Sequence, residues 1–412
     1  MAELTMERIY ADDCIDDPYP LFHRIREDDP VRWDDRMGEA GGWMVTGYEP
    51  AVAALMDTRL SAARPQWLAD RLPTGAEPSH TAAMNALYQQ VVTSDPPAHD
   101  RIRRELKAPF MPRPVDAMAE RITATAHRLL DTAIADGDGE FDLMAAYGYA
   151  LPALSLGRLL GVPGGGDQEY LHWMLCLGLL LDDGPASREH QPKLLGGVHE
   201  FVEFFRGLVA ERRDGRRDDF LQALADSYTG GRWADEAELL GNLAFLLTAG
   251  QISTAHQIGN SVLHLLRDPE LYERVRADPT AVARMSAELM RFDSSVQLTK
   301  RRVLEPVELG GHQLSTGEEV FVWIGAAHRD PAQYPDPDRI DPDRGEVGHI
   351  AFGRGIHFCL GARMGKLVHD LAVQAFVERV RRPRLATPDK VDRSIMPTFR
   401  GPYRLPVRYD VH

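Results

Sequence analysis

The sequence contains little cysteine, and this scarcity excludes two kinds of structural site. Its 412 residues include three cysteines, Cys14, Cys176 and Cys359, which lie far apart and form no Cys-x-x-Cys pair. A disulfide-stabilised scaffold and a tetrahedral cysteine zinc site both require paired or closely spaced cysteines. Each cysteine must therefore be interpreted from the residues around it.

Positive charge is also scarce. The chain has 47 lysine and arginine residues against 62 aspartate and glutamate residues, a net charge of −15. A nucleic-acid clamp and a protein that binds anionic lipid both need a basic face. The sequence therefore predicts no nucleic-acid partner and no membrane partner.

Long apolar runs are absent as well. The nearest candidate, 175–181, is much shorter than the roughly 18 residues that a membrane-spanning helix requires. The first residues show neither the basic region nor the apolar region of a signal peptide. We therefore expect a soluble, cytoplasmic protein.

Proline and glycine are spread along the chain instead of collecting in a linker, and no internal repeat is visible. We therefore predict a single domain over residues 1–412. Helical periodicity of apolar residues dominates, in the segments 101–108, 116–134, 197–211, 235–266, 280–291 and 362–380. Strand patterns occur at 31–33 with 43–48, at 307–309 with 312–314 and continuing through 319–324, and at 403–409. The predicted fold class is mainly α with small β-sheets.

The segment 235–266 is unusually long for a helix of a globular protein. At 1.5 Å per residue it would span about 48 Å, which predicts a helix that crosses the protein. Its middle, 248–256, is polar. This pattern predicts a break in the helix with a functional role.

The most informative segment surrounds Cys359 and reads AFGRGIHFCLG over 351–361. Glycines allow a tight turn and a close approach to a flat ligand. Backbone N–H groups at the start of the following helix favour the thiolate form of a cysteine, and a thiolate can ligate haem iron.

Three other uses of this segment conflict with its residues. A dinucleotide-binding loop would need glycine at Phe358, and no Gly-Lys-Ser/Thr follows a glycine-rich turn as a P-loop requires. A cysteine hydrolase would need a base and an orienting group around the sulfur. Cys359 and His357, two residues apart in a glycine loop, do not provide that arrangement.

The segment resembles the haem-binding signature of the cytochrome P450 family, Phe-Gly-x-Gly-x-His-x-Cys-x-Gly. The matching residues are Phe352, Gly353, Gly355, His357, Cys359 and Gly361. The resemblance implies a haem-thiolate oxidoreductase that binds haem b, with Cys359 as the iron ligand. The fold it implies places haem between a long central helix and the cysteine segment.

Further motifs extend the resemblance over the whole chain. Glu288 and Arg291 match the Glu-x-x-Arg motif of the family, and Arg339 matches the arginine that completes its salt-bridge network. The resemblance assigns this network a structural role. It assigns the haem propionates to His99 and Arg103, which lie at i and i+4 on one helix face, and to Arg301 and His357.

The oxygen site of the family usually reads Ala-Gly-x-Glu/Asp-Thr. Here Ala249 and Gly250 match the two small residues, and Ser253 occupies the alcohol position, followed by Thr254. The resemblance implies a haem contact for Ala249 and catalytic roles for Gly250, Ser253 and Thr254. Alternatively, Ser253 only donates a hydrogen bond to the backbone carbonyl one turn earlier.

The chain departs from the family pattern at the acid position, which is Ile252. An isoleucine cannot relay protons, and the neighbouring Gln251, also a catalytic candidate, has no useful pKa. Three interpretations stay open: protons come from the substrate or ordered water, the enzyme couples radicals without inserting oxygen, or it uses peroxide.

The segment 249–254 is similar to the corresponding segment of mycocyclosin synthase, a family member that forms a C–C bond within a cyclic dityrosine dipeptide. We therefore expect oxidation of a small aromatic natural product, such as a cyclic dipeptide, by C–C or C–N coupling or by hydroxylation, in bacterial specialised metabolism. The alternatives are a conventional hydroxylase or epoxidase of a macrolide, terpenoid or other apolar substrate, and a haem-binding protein without turnover. We expect the substrate walls at 61–90, at 173–190 and at Val296, Leu298 and Phe399.

The resemblance also implies an external source of electrons. The chain has too few cysteines for an iron–sulfur cluster of its own. The expected route is NAD(P)H through ferredoxin reductase to ferredoxin, or a flavodoxin. We expect the acidic carrier to dock beside Cys359 at Arg354, Arg363 and Lys366, so that charge reversal at Arg363 slows reduction.

Overall fold

The structure is a computed structural model. It describes residues 15–38, 40–63, 77–164, 168–182, 189–215, 217–345, 348–388, 390–394, 396 and 398–411.

Helices make up most of the described chain. The α-helices are α1 (Tyr19–Asp28), α2 (Tyr48–Met56), α3 (Pro78–Tyr88), α4 (Ala98–Leu106), α5 (Pro112–Asp116), α6 (Ala119–Asp136), α7 (Ala150–Leu160), α8 (Gln168–Asp182), α9 (Gln191–Asp214), α10 (Phe220–Thr229), α11 (Glu236–Arg267), α12 (Pro269–Ala277), α13 (Ala281–Phe292), α14 (Ile324–Ala327) and α15 (Ala362–Arg379). Single turns of other helix types occur at Val91–Thr93, Ala108–Phe110, Met144–Gly148 and Gly355–His357.

The strands are short. They are β1 (Val31–Asp34), β2 (Gly42–Val45), β3 (Leu60–Ser61), β4 (Glu140–Asp142), β5 (Leu298–Val303), β6 (Val307–Leu309), β7 (His312–Leu314), β8 (Glu319–Trp323), β9 (Arg384–Leu385), β10 (Asp392–Arg393), β11 (Pro402–Arg404) and β12 (Pro406–Arg408). The predicted fold class, mainly α with small sheets, is confirmed.

Helix α11 forms the centre of the helical part. Its N-cap residue Asp235 accepts a hydrogen bond from the Glu238 backbone N–H at 2.9 Å, which satisfies one of the free donors at the helix start. Buried residues occur on all its faces, as expected for a helix surrounded by others. The helix runs without interruption through 248–256. The predicted break is therefore wrong: Gln251 and Ser253 bond to backbone oxygens while the helix stays closed.

The largest sheet has the strand order β1-β2-β8-β5-β3. The two predicted hairpins, β1–β2 and β6–β7, are confirmed, and Gly310 and Gly311 form the second turn at φ of +57° and +84°. The prediction that β8 continues the β6–β7 sheet is wrong. Gly317, at φ of +93°, redirects the chain, so that β8 pairs with β2 and β5 instead.

The predicted strand at 403–409 is two strands in different sheets. Strand β11 pairs with β10, whereas β12 pairs with β4 and β9. The buried Leu405 lies between them, where the chain passes from one sheet to the other.

Three hydrophobic cores form among the described residues. The largest lies among the helices around α11, and the other two lie on the two faces of the five-stranded sheet, one of them against α1. Among the helices described, none is long and apolar enough to cross a lipid bilayer.

Candidate active site

A cavity of about 370 Å³ lies between the middle of α11 and the segment 351–361, which we call the Cys loop. The start of β5 and the segment 398–399 provide further walls. Its apolar lining includes Val91, Phe245, Leu246, Met290, Val296 and Phe399. A concave, mostly apolar site with few polar groups is typical of a binding site for small molecules.

The Cys loop folds over the cavity through its own backbone. The Cys359 N–H donates to the Phe352 carbonyl oxygen at 2.8 Å. Gly353 and Gly355 have φ of +70° and +69°, a conformation that glycine adopts without strain. A side chain at Gly355 would also collide with the Leu55 carbonyl, because a Cβ there would lie 2.6 Å from that oxygen. Helix α15 begins directly after the loop, as predicted.

Opposing influences act on the thiol of Cys359, a residue that lines the cavity. Burial within the protein raises the pKa of the Cys359 thiol above its usual value. The Gly361 N–H and the Arg103 guanidinium act in the other direction. The predicted stabilising N–H is therefore present, but burial outweighs it. A directly bonded metal cation is a stronger influence and deprotonates a coordinating thiol.

Four predicted polar contacts, His99, Arg103, Arg301 and His357, line one end of the cavity. The rings of His99 and His357 are 4.6 Å apart between centroids, and Arg103 Nη2 donates to the Phe358 carbonyl oxygen at 2.7 Å. Within the described part of the chain, Nε2 of His99 and Nε2 of His357 are buried without a hydrogen-bond partner. Burial, with Arg301 nearby, lowers the pKa of His357 to about 4, so this ring is neutral near pH 7. Buried polar atoms without partners are rare, and they mark this end as a site for a polar ligand group.

Helix α11 lines the opposite side of the cavity with Ala249, Gly250, Ser253 and Thr254. Ser253 Oγ donates to the Ala249 carbonyl oxygen at 2.7 Å, so the backbone hydrogen bond considered above is present. Gly250 also has a packing role, since a Cβ there would lie 2.5 Å from a methyl carbon of Leu156.

Two residues of the oxygen-site segment point elsewhere. Gln251 Nε2 lies 3.4 Å from the Tyr149 carbonyl oxygen, and the side chain is buried away from the cavity lining. The structure thus contradicts the catalytic assignment of Gln251, because its position on the helix faces α7 and not the cavity. Ile252 packs against α8, where a Cβ at Gly178 would lie 2.5 Å from its Cδ1.

Comparison with known proteins identifies the family to which this chain belongs. A sequence profile described as "Cytochrome P450" matches residues 187–384. The chain is 34% identical over 402 residues to the cytochrome P450 monooxygenase PikC of Streptomyces venezuelae, covering 95% of this chain and 91% of that protein. The chain belongs to the cytochrome P450 family. It is also 34% identical to 6-deoxyerythronolide B hydroxylase of Saccharopolyspora erythraea, over 98% of this chain and 99% of that protein.

The fold agrees with this assignment. The solved structure of CxnD, a P450 described as an enzyme for C–S bond formation in chuangxinmycin biosynthesis, superposes with a TM-score of 0.84 at 30% identity. It covers 95% of this chain and 94% of that chain. The sequence-based identification of the family and the expectation of an enzyme are confirmed.

The P450 family implies a haem iron cofactor, and the residues of the cavity fit it. Cys359 lines the cavity, where its thiolate would hold the iron. At one end, two guanidinium groups and two imidazoles line the cavity, a donor set suited to the two propionate carboxylates of haem. The unpartnered nitrogens of His99 and His357 are part of that set.

The Glu-x-x-Arg pair forms the predicted ion pair. Arg291 donates to Glu288 through Nε at 2.7 Å and Nη2 at 2.8 Å, and both side chains are buried. The residue that completes the network differs from the prediction. Arg344 Nε bonds to Glu288 Oε1 at 3.1 Å, whereas Arg339 contributes its backbone oxygen to Arg291. The chain turns between Arg339 and Arg344, and only the second arginine side chain reaches the carboxylate.

Some of the residues predicted to form the substrate walls line the cavity. Val296, Leu298 and Phe399 line the cavity. In the predicted stretch 173–190, Gly178 lines the cavity, while 183–188 lie outside the described residues. Of the stretch 61–90, residues 64–76 lie outside them, and the described residues 61–63 and 77–90 do not line the cavity.

Sequence reasoning missed several groups of lining residues, and two of them lie close to residues that it did name. The turn Val91–Thr93 lies just beyond the predicted stretch, and Gln257 lies on α11. Gln257 follows Ser253 by four residues and so shares its helix face, a signal that the sequence did contain.

Proposed function

We propose that this P450 is a hydroxylase of bacterial specialised metabolism that acts on a largely apolar, polyketide-like small molecule. The observation that carries the proposal is a mostly apolar cavity with Cys359 on one side and Ala249, Gly250 and Ser253 on the other. A similar protein, 6-deoxyerythronolide B hydroxylase, supports it by its name.

Each part of the cavity has a task in this proposal. Haem held by a cysteine thiolate would supply O₂ activation, in which two electrons and two protons are consumed, one oxygen atom enters a C–H bond and the other leaves as water. Cys359 holds the iron, and the Gly361 N–H stabilises charge on the sulfur. The apolar walls orient the substrate and exclude water from the reacting carbon.

Proton supply is the step at which this chain differs from the family pattern. The Ser253 hydroxyl donates to its own helix, so it is oriented to accept a hydrogen bond from a water or a substrate hydroxyl. Ile252 packs against α8 and exchanges no protons. We therefore assign proton delivery to ordered water or to a hydroxyl group of the substrate.

The second candidate is oxidative coupling within an aromatic cyclic dipeptide. Ile252 favours it, because the phenol hydroxyls of such a dipeptide can supply protons that no acidic side chain provides at this position. The similarity to CxnD, whose description names C–S bond formation, supports coupling chemistry of this general kind.

One experiment tests the proposal and separates the two reactions. The haem-loaded protein is reduced under CO, where a strongly red-shifted Soret band shows thiolate ligation. It is then incubated with ferredoxin, ferredoxin reductase, NADPH and ¹⁸O₂, with 6-deoxyerythronolide B and cyclo(L-Tyr-L-Tyr) as separate probes. An ¹⁸O-labelled macrolactone supports hydroxylation, and a dipeptide lighter by two hydrogens supports coupling. Absence of the red-shifted band, or of both products, contradicts the proposal.

We further propose that electrons arrive from an acidic ferredoxin at the surface around α4, α5 and the Cys loop. Despite the net charge of −15, this surface exposes basic side chains together with apolar ones. The exposed residues are Arg104, Lys107, Met111, Arg113 and Ile356. Of the predicted docking residues, Arg363 pairs with Asp116 at 2.7 Å, Lys366 pairs with Asp370 at 2.5 Å, and Arg354 donates to the Gly348 carbonyl at 3.1 Å.

Charge reversal on this surface is expected to slow reduction by ferredoxin. Arg113→Glu is a better probe than a change at Arg363, since the Asp116 carboxylate already offsets the Arg363 charge. We expect the rate to fall by roughly tenfold at low ionic strength, the lower end of the effect of charge steering on association. The difference should shrink as salt is added.

Stopped-flow reduction kinetics measure this rate. The control is Arg24→Glu, the same charge change at an exposed position of α1. Equal reduction rates for the two variants would place the docking surface elsewhere.

A further inference from the structure

One face of α11 continues beyond the oxygen site as a row of polar side chains. Ser253, Gln257, Asn260 and His264 follow one another at intervals of four, three and four residues, which places them on the same helix face. Gln257 and Asn260 are buried, and Gln257 also lines the cavity. Burying an amide is costly unless it forms hydrogen bonds, so the partners of these two side chains show their role.

Gln257 binds the segment between α13 and β5. Its Oε1 accepts a hydrogen bond from the Ser295 backbone N–H at 3.0 Å. Its Nε2 lies 3.4 Å from the backbone oxygens of both Leu289 and Asp293. A single side chain thus holds the end of α13 and the residues that lead into β5.

Asn260 and His264 extend this attachment to the segment 398–401. Asn260 Nδ2 donates to the backbone carbonyl oxygens of Asp293, at 3.1 Å, and of Arg400, at 3.0 Å. His264 Nε2 lies 2.8 Å from the Asp293 carboxylate, which also accepts from Arg400 Nε at 2.8 Å.

The two segments that α11 holds are also bonded to each other. The Arg400 N–H donates to the Ser295 oxygen at 2.8 Å, and the Gln297 N–H donates to the Thr398 oxygen at 2.9 Å. Val296 and Phe399 form a β-bridge between these bonds. We call Ser295, Val296, Thr398 and Phe399 the paired wall; all four line the cavity.

We propose that Gln257 is a positioning residue that fixes the paired wall in register with Ser253, and so sets which part of a bound molecule lies next to the iron. The inference rests on the proposed function, since it assumes a haem-bound substrate in this cavity. Ser253 and Gln257 project from adjacent turns of one rigid helix, so the wall cannot shift relative to the oxygen site while the Gln257 bonds are intact.

The Ser295 amide reports directly on this contact. In Gln257→Met, a change that conserves volume but removes hydrogen bonding, we expect hydrogen exchange at Ser295 to accelerate by about tenfold, as the loss of one hydrogen bond predicts. Gln257→Glu in its protonated form retains an acceptor for the Ser295 N–H and a donor for the Leu289 or Asp293 backbone oxygen, and should keep most of the protection. The control is Gln222→Met on α10, a buried glutamine that also bonds to backbone, to Arg212 O and Arg217 N at 3.1 Å. This substitution should leave the rate of hydrogen exchange at Ser295 unchanged.

Two azoles then test the consequence for ligands in the haem-loaded protein. Imidazole reaches the iron without needing the wall, whereas the phenyl ring of 4-phenylimidazole must fit against it. In Gln257→Met we expect Kd to change about fivefold or more for 4-phenylimidazole and less than about twofold for imidazole, since only the former depends on wall packing. Gln257→Glu should restore most of the wild-type ratio.

Unchanged Ser295 exchange, or equal effects on both azoles, would overturn the positioning role. If Gln257→Met does not fold, Asn260→Ser tests the same attachment from the Arg400 side. We then expect the same selective change in Kd for 4-phenylimidazole. A protein that gives no imidazole spectrum overturns the proposed function instead, and Ser295 exchange still decides the role of Gln257.

Discussion

Cys359→Ser should remove the strongly red-shifted Soret band of the reduced, CO-bound protein and abolish turnover. Cys359 lines the cavity, and its loop is fixed by the bond from its N–H to the Phe352 oxygen. A serine hydroxyl keeps the backbone geometry but cannot supply the electron density of a thiolate. We expect activity to fall by at least roughly a hundredfold, beyond the loss typical for residues that only support a metal ligand.

Cys176→Ser is the matched control. Cys176 is buried on α8, with its sulfur 3.6 Å from His172 Nε2, and it does not line the cavity. This variant should retain the wild-type CO spectrum and turnover. A red-shifted band that survives in Cys359→Ser, or disappears in Cys176→Ser, would contradict the assignment of the iron ligand.

Glu288→Gln should strongly destabilise the protein. The Glu288 carboxylate accepts two hydrogen bonds from Arg291, one from Arg344 and one from the Asp341 N–H, all between 2.7 and 3.1 Å. The substitution keeps the shape but leaves the fully buried Arg291 guanidinium without its counter-charge. Breaking a buried pair in this way costs about 3–5 kcal/mol.

Urea unfolding of the haem-loaded protein measures this loss. The control is Glu273→Gln, because Glu273 pairs with Arg276 at the same i, i+3 spacing and 2.7 Å but with both side chains more than half exposed. An exposed pair contributes less than about 1 kcal/mol. Similar losses for the two variants would show that burial of the Glu288 network does not determine its contribution.

The features that the sequence predicted best are those that depend on residues close together along the chain. The spacing of glycines around Cys359 predicts the Cys loop, and the apolar pattern predicts the bounds of α11 within a residue. Gly310 and Gly311 predict the β6–β7 turn because two positive φ angles are a local requirement.

The wrong predictions all depend on which residues meet in the folded structure. The sequence cannot show that β8 pairs with β2 and β5, that Arg344 and not Arg339 reaches Glu288, or that Gln251 faces α7. In each case several residues of the right type lie close together in sequence, and tertiary packing selects one. The paired wall is the extreme case, because α11, Ser295 and Arg400 are far apart along the chain.

Arg400 joins the paired wall to a segment of the chain that is synthesised much earlier. Its Nη1 and Nη2 donate to the backbone oxygens of Ile15 and Asp16 at 2.6 and 2.7 Å, so residues made early and late by the ribosome are joined beside the cavity. Chains emerge N-terminus first and fold progressively. A nascent polypeptide that already exposes Cys359 thus still lacks one side of its substrate cavity, because the paired wall forms only after residue 400 has emerged.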